Sequence, residues 1–235
     1  LGNAALDSVE AGGINNVAIG DNAGTAITTG DSNTAIGKDS LLTNTTTSNN
    51  VAVGTNTLKV NVGSNNVAVG VDAMLANTSG TLNVAVGRQA LAANTTGACN
   101  TAVGQGALTT NTTGTGNTAI ARQALFLNTE GDDNIALGNT SLCANTTGDN
   151  NVAIGRLALR NNTTANENVG IGKEALCANQ TGTANTAVGT CSLKVNTASN
   201  NTAIGSSALT ANTTGVSNVA LGAYSLDENT TGADN

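Results

Sequence analysis

The 235-residue sequence predicts an all-β protein, a parallel β-solenoid of about 13 coils, and three observations support this fold class. A short motif recurs every 17 residues (twice every 16), β-branched residues alternate with alanine in each copy, and glycine and asparagine follow at fixed places. The period is too short for a helix–turn–helix repeat and lacks leucine-rich-repeat spacing. One copy therefore corresponds to one coil, and coils stacked about 4.8 Å apart predict a rod roughly 58 Å long.

The repeat is numbered from the glycine, position 0, that ends an Ala-Ile-Gly-like triplet. This glycine stands at Gly20, Gly37, Gly54, Gly70, Gly87, Gly104, Gly138, Gly155, Gly172, Gly189, Gly205 and Gly222, with Ala121 in the same place. Position −4 is Asn, −2 is Ala except at Gly170, −1 is Ile, Val or Leu, +4 is usually Leu, and +7 is usually the Asn of Asn-Thr-Thr-Gly. The two 16-residue copies share a variant, Leu58–Asn61 and Leu193–Asn196, which indicates duplication of a larger block.

The alternation at −3 to −1 predicts a strand, and glycine and Asn-Thr-Thr-Gly would bound two short extended segments per copy. Asn and Gly would supply the left-handed backbone conformations of the corners. The aliphatic residue at −1 and Leu at +4 are expected to fill the interior. Stacking would place the Asn residues at −4, and those at +7, in amide ladders. The predicted −4 ladder is Asn16, Asn33, Asn50, Asn66, Asn83, Asn100, Asn117, Asn134, Asn151, Asn168, Asn185, Asn201 and Asn218.

Alanine at −2 should then point to the opposite face of the strand. A small, apolar and uniform outward position indicates that another backbone approaches closely, as in a homotrimer with three identical faces. Crowding at a tight corner of a single chain is the alternative explanation. The predicted trimer-interface alanines are Ala18, Ala35, Ala52, Ala68, Ala85, Ala102, Ala119, Ala136, Ala153, Ala187, Ala203 and Ala220.

Composition excludes several function classes. The chain has no His, Pro or Trp, while Asn (37) and Thr (38) fill about a third of it. The absence of His removes Ser-His-Asp, Cys-His and most zinc sites, so we expect no enzyme, no metal and no cofactor. The net charge of −7 argues against a nucleic-acid partner. The apolar runs are far shorter than the about 20 residues of a membrane span, so this segment is not expected to insert into a membrane.

Three kinds of residue are candidates for chemistry. Cys99, Cys143, Cys177 and Cys191 contain no CxxC pair and are interpreted as substitutions at small-residue positions. Asp132, Asp133 and Asp149 could suggest calcium, but they do not recur in every copy as calcium-binding solenoids require, so solvated turns are favoured. About a dozen glycosylation sequons, including those at Asn94, Asn145 and Asn212, follow from the Asn-Thr-Thr-Gly corner and are interpreted as turn residues.

Charged residues recur at a few fixed positions of the repeat, which stacking of coils would align into columns. All eight cations stand at +1 (Lys38, Arg88, Arg122, Arg156 and Lys173) or at +5 (Lys59, Arg160 and Lys194). Many acids stand at +11 or +12, which are positions −6 and −5 of the following copy: Asp31, Asp132, Asp133, Asp149, Glu167 and Asp234. Either both columns only keep the rod soluble, or neighbouring chains set a basic corner against an acidic one and so fix their register.

The unit running from Asn100-Thr101-Ala102-Val103-Gly104 to Asn111-Thr112-Thr113-Gly114 resembles the head repeats of trimeric autotransporter adhesins and the repeats of phage tail-fibre-type proteins. The resemblance covers essentially the whole chain. It implies a left-handed parallel β-roll assembled as a homotrimer in an extracellular or virion fibre. The coiled-coil stalk, membrane-anchor barrel and chaperone domain of complete family members are missing. Residues 1–235 are therefore interpreted as a single solenoid region, a fragment of a longer fibre.

The expected function is a structural and adhesive segment of such a fibre: a rigid rod on the cell surface or virion that holds or forms a surface for an unknown receptor. Its partners would be two further copies of the same chain and that receptor. The alternative is an ice-binding solenoid whose stacked Thr at +8 and +9 form the binding face. Against it, adjacent residues of a strand face opposite ways.

Overall fold

The computed structural model describes residues 3–8 and 13–235, and it confirms an all-β parallel solenoid. The chain forms two compact units, one ending at Asn117 and one beginning at Thr118, and each has the predicted repeat architecture. In the first unit the strands are β1 (Val17–Ile19), β2 (Thr34–Ile36), β3 (Val51–Val53), β4 (Val67–Val69), β5 (Val84–Val86) and β6 (Thr101–Val103). In the second they are β7 (Thr118–Ile120), β8 (Ile135–Leu137), β9 (Val152–Ile154), β10 (Val169–Ile171), β11 (Thr186–Val188), β12 (Thr202–Ile204) and β13 (Val219–Leu221). No described segment is a helix long and apolar enough to cross a membrane.

Within each unit every strand pairs in parallel with the next strand in the chain, in the register of the repeat. Ala18 of β1 lies opposite Ala35 of β2, and Ala35 in turn lies opposite Ala52 of β3. The same register holds across both 16-residue intervals, where Val51 pairs with Val67 and Thr186 with Thr202. Coil length therefore varies without shifting the sheet.

The side chains of the strand face the opposite way to the prediction. In every strand the middle residue, at −2, is buried, while its neighbours at −3 and −1 are half-buried or exposed; in β1 the pattern is Val17 out, Ala18 in and Ile19 out. The interior partner of −2 is the Leu at +4. A Cβ added at Gly170 would lie 3.2 Å from Cγ of Leu159. The narrow coil has room for one large side chain, which Leu supplies from the turn, so only a methyl group fits at the strand.

The predicted trimer interface of alanines is therefore wrong. These side chains are buried within their own chain, with no exposed surface at most positions, and cannot contact another copy. Their uniform small size reflects crowding within a single chain, but in the coil interior at the middle of the strand and not at the tight corner that the alternative explanation named. The correction applies to Ala18, Ala35, Ala52, Ala68, Ala85, Ala102, Ala119, Ala136, Ala153, Ala187, Ala203 and Ala220.

A second extended segment per copy was also expected, and the structure has turns there instead. Leu91 at +4 is fully buried yet has a φ of +51°, and the same left-handed conformation recurs at +4 in most coils. This conformation lets the Leu91 N–H donate to Ala107 O in the next coil (3.0 Å) while Leu91 O accepts the Asn94 N–H (3.2 Å). Left-handed backbone is costly for Leu. Burial of its side chain and these bonds offset that cost.

Position 0 needs glycine because successive backbones touch there. Gly87 has a φ of +132°, and a Cβ on it would lie 2.6 Å from Gly104 O in the next coil. Ala121 is the one non-glycine at this position, and its φ is +113°.

Candidate functional site

The surface feature common to both units is a strip that the side chains at −3 and −1 of the strands form in each unit, here called the outer strip. It carries Val, Thr or Ile at −3 and Ile, Val or Leu at −1. Its members are unusually open for large aliphatic side chains: Ile19 is 49% exposed, Ile120 42% and Ile204 41%. The −1 column is Ile19, Ile36, Val53, Val69, Val86 and Val103 in the first unit and Ile120, Leu137, Ile154, Ile171, Val188, Ile204 and Leu221 in the second.

The predicted Asn ladder at −4 is present, and it joins each strand to a corner. The twelve members from Asn33 to Asn218 are fully buried, while Asn16 is half-buried. The Asn100 N–H donates to Asn83 Oδ1 of the preceding coil (2.9 Å), and Asn100 Nδ2 donates to Gly114 O of the following corner (2.8 Å). Each Asn thus bonds both neighbouring coils, its backbone N–H bonding the preceding coil and its side-chain amide the following one, chiefly the backbone of that coil.

The Asn column at +7 is the true amide-to-amide ladder. Asn94 Nδ2 donates to Asn77 Oδ1 (2.7 Å), and Asn111 Nδ2 donates to Asn94 Oδ1 (2.9 Å). These are the sequon asparagines, and Asn94, Asn145 and Asn212 are fully buried. Their Nδ2 atoms are inaccessible to a glycosyltransferase in the folded chain, so the turn interpretation is favoured.

The Thr column at +8 uses its hydroxyl hydrogens within the solenoid. The Thr95 hydroxyl donates to Thr112 O of the next coil (2.9 Å), and the Thr213 hydroxyl donates to Thr230 O (2.9 Å). These hydroxyls reinforce the stacking of corners. They are not free to donate to an external ligand such as ice.

The four cysteines are free thiols, with Cys99 exposed and the others half-buried. Burial raises the pKa of Cys143 and of Cys177, which keeps both thiols protonated at neutral pH. Among the described residues no group of three or more Cys, Asp or Glu side chains could hold a metal ion. The described residues also enclose no pocket for a small ligand.

The corner acids at −6 take part in the stacking of coils. Asp149 Oδ1 accepts the Asp132 N–H of the preceding coil (2.8 Å), and Asp31 Oδ1 accepts the Ile14 N–H (2.9 Å). Ser48 and Asn166 accept equivalent bonds. The carboxylates are therefore held by backbone in a defined direction, which a freely solvated turn would not require.

Two of the three cations at +5, Lys59 and Lys194, form ion pairs that sequence reasoning missed. Lys194 Nζ lies 2.8 Å from Glu174 Oε2, and Lys59 Nζ lies 3.5 Å from Asp39 Oδ2, each acid standing at +2 of the preceding coil. The Lys194 hydrogen bond lowers the pKa of Glu174, and Glu174 raises the pKa of Lys194. The 20-residue spacing from +2 to the following +5 was the available signal, and it could be interpreted only once these two positions were known to touch.

Cations at +1 behave differently. Lys173 lies 3.7 Å from Glu174, but none of the other +1 cations comes within 4.0 Å of a described carboxylate.

No protein-family model matches this chain, and no curated protein matches it.

Proposed function

We propose that this chain is a structural and adhesive segment of a homotrimeric fibre, displayed outside the cell or on a virion. The observation that carries the proposal is the outer strip. All-parallel sheets occur almost only where both faces are covered, and monomeric proteins rarely expose a long contiguous apolar surface. Here the inner face is covered by Leu at +4, whereas the side chains of the outer face are half-buried or exposed in the part of the chain that the structure describes.

The occupant that fits the outer strip best is a second and a third copy of the same chain. The strip repeats once per coil, so only a surface with the same repeat can match it from coil to coil. It is two side chains wide, about 7 Å. Three such narrow strips can close around one axis, the −1 edge of each copy against the −3 edge of the next. The resemblance to head repeats of trimeric adhesins also supports three copies.

The proposed role is mechanical spacing combined with multivalent attachment. Ladders of buried Asn, short turns and parallel strands leave little freedom for bending or opening inside a unit. Three identical chains also present three copies of any weak receptor contact, which raises avidity without new contacts. The absence of a pocket in the described residues favours surface-to-surface recognition over binding of a small ligand.

The test is solution mass by light scattering on the wild type and on lysine variants. The wild type should have three times the 22.9 kDa chain mass. Ile154→Lys combined with Ile204→Lys places charge at −1 of β9 and β12 and should give folded monomers. Thr164→Lys, at the exposed +9 position outside the outer strip, is the matched control and should remain trimeric. A monomeric wild type, or an Ile154→Lys/Ile204→Lys variant with unchanged trimer mass, would contradict the proposal.

Ice binding is the rival function, and thermal hysteresis separates the two. Since the hydroxyl hydrogens of Thr at +8 are already donated within the chain, we expect no hysteresis above that of a non-binding protein. Hysteresis that disappeared in the Thr95→Val/Thr112→Val variant, with trimer mass unchanged, would favour ice binding instead.

A further inference from the structure

We infer that neighbouring copies of the trimer pack in level register, meaning that each coil lies at the same height along the axis as the same coil of the next copy. The basic +1 edge of a coil in one copy then contacts the acidic −6/−5 edge of the same coil in the next copy. The inference rests on the proposed trimer and names the residues that set its register: Lys38 with Asp31, Arg156 with Asp149, and Lys173 with Glu167.

The first support is the position of the two charged columns. Position +1 follows the outer strip at one end of each strand, and positions −6 and −5 precede it at the other end. Arg122, Arg156 and Lys173 are exposed on the first edge of the second unit, and Asp133 and Glu167 are exposed on the other. The outer strip is thus an apolar surface with one basic and one acidic border.

The second support is that opposite charges occur in the same coil. The coil of β2 has Asp31 and Lys38, that of β9 has Asp149 and Arg156, and that of β10 has Glu167 and Lys173. Six coils, those of β3, β4, β6, β11, β12 and β13, carry no charge at any of these positions. The remaining four carry charge on one edge only: Arg88 and Arg122 stand at +1 after β5 and β7, Asp132 and Asp133 stand before β8, and an acid, Asp21, stands at +1 after β1.

The third support is that these charges do not meet within their own chain. Neither Lys38 nor Arg156 lies within 4.0 Å of a described carboxylate, and Lys173 pairs with Glu174 rather than Glu167. Asp149 is nevertheless fixed in place, because its Oδ1 accepts the Asp132 N–H at 2.8 Å. A fixed carboxylate and an unpaired guanidinium on opposite borders suit a partner that presents the complementary border.

The three-fold symmetry of the proposed trimer fixes the axial register of neighbouring copies. In a ring of three identical chains each contact joins two different edges, and the ring closes only if no contact adds an axial rise. A level ring pairs all three sets of charges. A shift of one coil would place Lys38 opposite Asn49 or Asn15 and leave two opposite-charge pairs in either direction, such as Arg156 with Asp132 and Lys173 with Asp149, so the level ring has one pair more. Ring closure and charge placement therefore agree on the same register.

Such pairs act mainly on specificity, since exposed ion pairs contribute little to stability. One pair changes association by up to about fivefold, and three identical contacts per ring raise the effect of one substitution to about a hundredfold. The effect should fall at high salt, because screening shortens the range of exposed charges.

The experiment is a double-mutant cycle on trimer association, measured by sedimentation equilibrium at low and high salt. Arg156→Glu and Asp149→Arg should each weaken association about a hundredfold at low salt and far less at high salt. The combined variant should return to within about fivefold of wild type. Asp149→Arg also removes the acceptor of the Asp132 N–H, but the cycle cancels this intrachain effect because both variants that carry it lose the same bond.

The matched control combines Arg156→Glu with Asp132→Arg, which changes the same −6 position one coil earlier, and it should not restore association. Additive effects of Arg156→Glu and Asp149→Arg in a trimeric wild type would overturn the pairing and leave the trimer intact. Restored trimer association in the Arg156→Glu/Asp132→Arg variant, and not in the Arg156→Glu/Asp149→Arg variant, would overturn the level register. A wild-type chain that stays monomeric would overturn the proposed trimer and this inference together.

Discussion

Two coils are one residue shorter than the others, and comparison with regular coils shows what that residue does. The regular corner Asn94–Gly97 has two Thr residues between Asn and Gly, whereas the short corner Asn196–Ala198 has one. Next to the regular corner Asn94–Gly97, the N–H groups of Thr78, Ser79 and Gly80 all donate to Thr95 O (3.0, 3.0 and 3.2 Å). Next to a short corner, the N–H groups of 180–182 and 45–47 have no partner in the described chain.

The missing residue also interrupts the amide ladder at +7. Asn196 Nδ2 donates within its own corner to Ala198 O (2.7 Å) instead of reaching Asn179 in the coil before it. Asn179 Oδ1 is left buried without a partner. The first short coil has the same break, where Asn61 Nδ2 donates to Gly63 O (2.6 Å), but there the Thr47 hydroxyl donates to Asn44 Oδ1 and replaces the lost bond.

Other contacts are unchanged or added at the short coils. The −4 ladder passes through without a break, since the Asn201 N–H donates to Asn185 Oδ1 (3.0 Å). Both short coils carry a Lys at +5 that pairs with an acid of the coil before, Lys59 with Asp39 and Lys194 with Glu174. The corner therefore sets coil length, whereas the strand and the −4 ladder set register.

The largest expected effect comes from changing the length of a corner. Deleting Thr96 converts a regular corner into a short one, and it should lower the free energy of unfolding by about 3–5 kcal/mol because the bonds to Thr95 O and Asn77 Oδ1 are lost. Inserting Thr between Thr197 and Ala198 should have the opposite sign. Urea unfolding measures both changes. Equal effects of the two changes would contradict the comparison.

Two asparagines of the same +7 column should differ in importance. Asn94→Ala removes donors to Asn77 Oδ1 and Gly97 O and the acceptor of Asn111 Nδ2, so we expect a loss of about 2–3 kcal/mol. Asn179→Ala also removes a buried oxygen that has no partner, so its cost should be smaller, about 1–2 kcal/mol. Thermal unfolding of the two variants side by side is the check, and an equal or larger loss for Asn179→Ala would show that the ladder is not interrupted.

A coil can also be weakened by residue type at normal length. Ala121 has a φ of +113°, a conformation that costs a non-glycine residue about 1–3 kcal/mol. Ala121→Gly should therefore raise the free energy of unfolding by about 1 kcal/mol, despite the greater freedom of glycine in the unfolded chain. Gly138→Ala is the control and should destabilise, since its Cβ would lie 2.6 Å from Gly155 O. A destabilising Ala121→Gly would mean that this backbone is not strained.

The smallest effect concerns the ion pair beside the second short coil. The lowered pKa of Glu174 arises first from the Lys194 hydrogen bond. A carboxyl whose pKa is lower in the folded state stabilises the fold above its unfolded pKa, and this contribution is lost as pH falls through the folded pKa. Stability of the wild type should therefore fall more steeply than that of Lys194→Met between about pH 5 and pH 3. Parallel pH profiles in urea unfolding would rule out a contribution from this pair.

Much of the fold could be predicted because the repeat interval directly gives the register in which successive strands pair. The 17-residue interval predicted the coils, and Asn at −4 in every copy and at +7 in nearly every copy predicted two columns that the hydrogen bonds contain. The direction of the strand side chains could not be predicted in the same way. Alternation defines two faces of a strand without saying which is inside, and the large residue was wrongly assigned to the interior.

The decisive information lay outside the strand. Leu at +4 enters the coil from a turn through a left-handed residue, Leu91 with a φ of +51° for example, and propensity gives no reason to expect Leu in that conformation. Once Leu fills the coil, only Ala fits at −2 and the aliphatic residues must face outward. The outer strip, on which the functional proposal rests, follows from that packing and not from the strand pattern alone.

The most direct test of this account is native-state hydrogen exchange at the corners, resolved by residue. The central claim is that hydrogen bonds between stacked corners depend on coil length. The amides of Thr46, Thr47, Thr181 and Gly182, next to the short corners, should exchange at least about a hundredfold faster than those of Thr78, Ser79 and Gly80, next to a regular one. Equal protection in the two groups would contradict the claim.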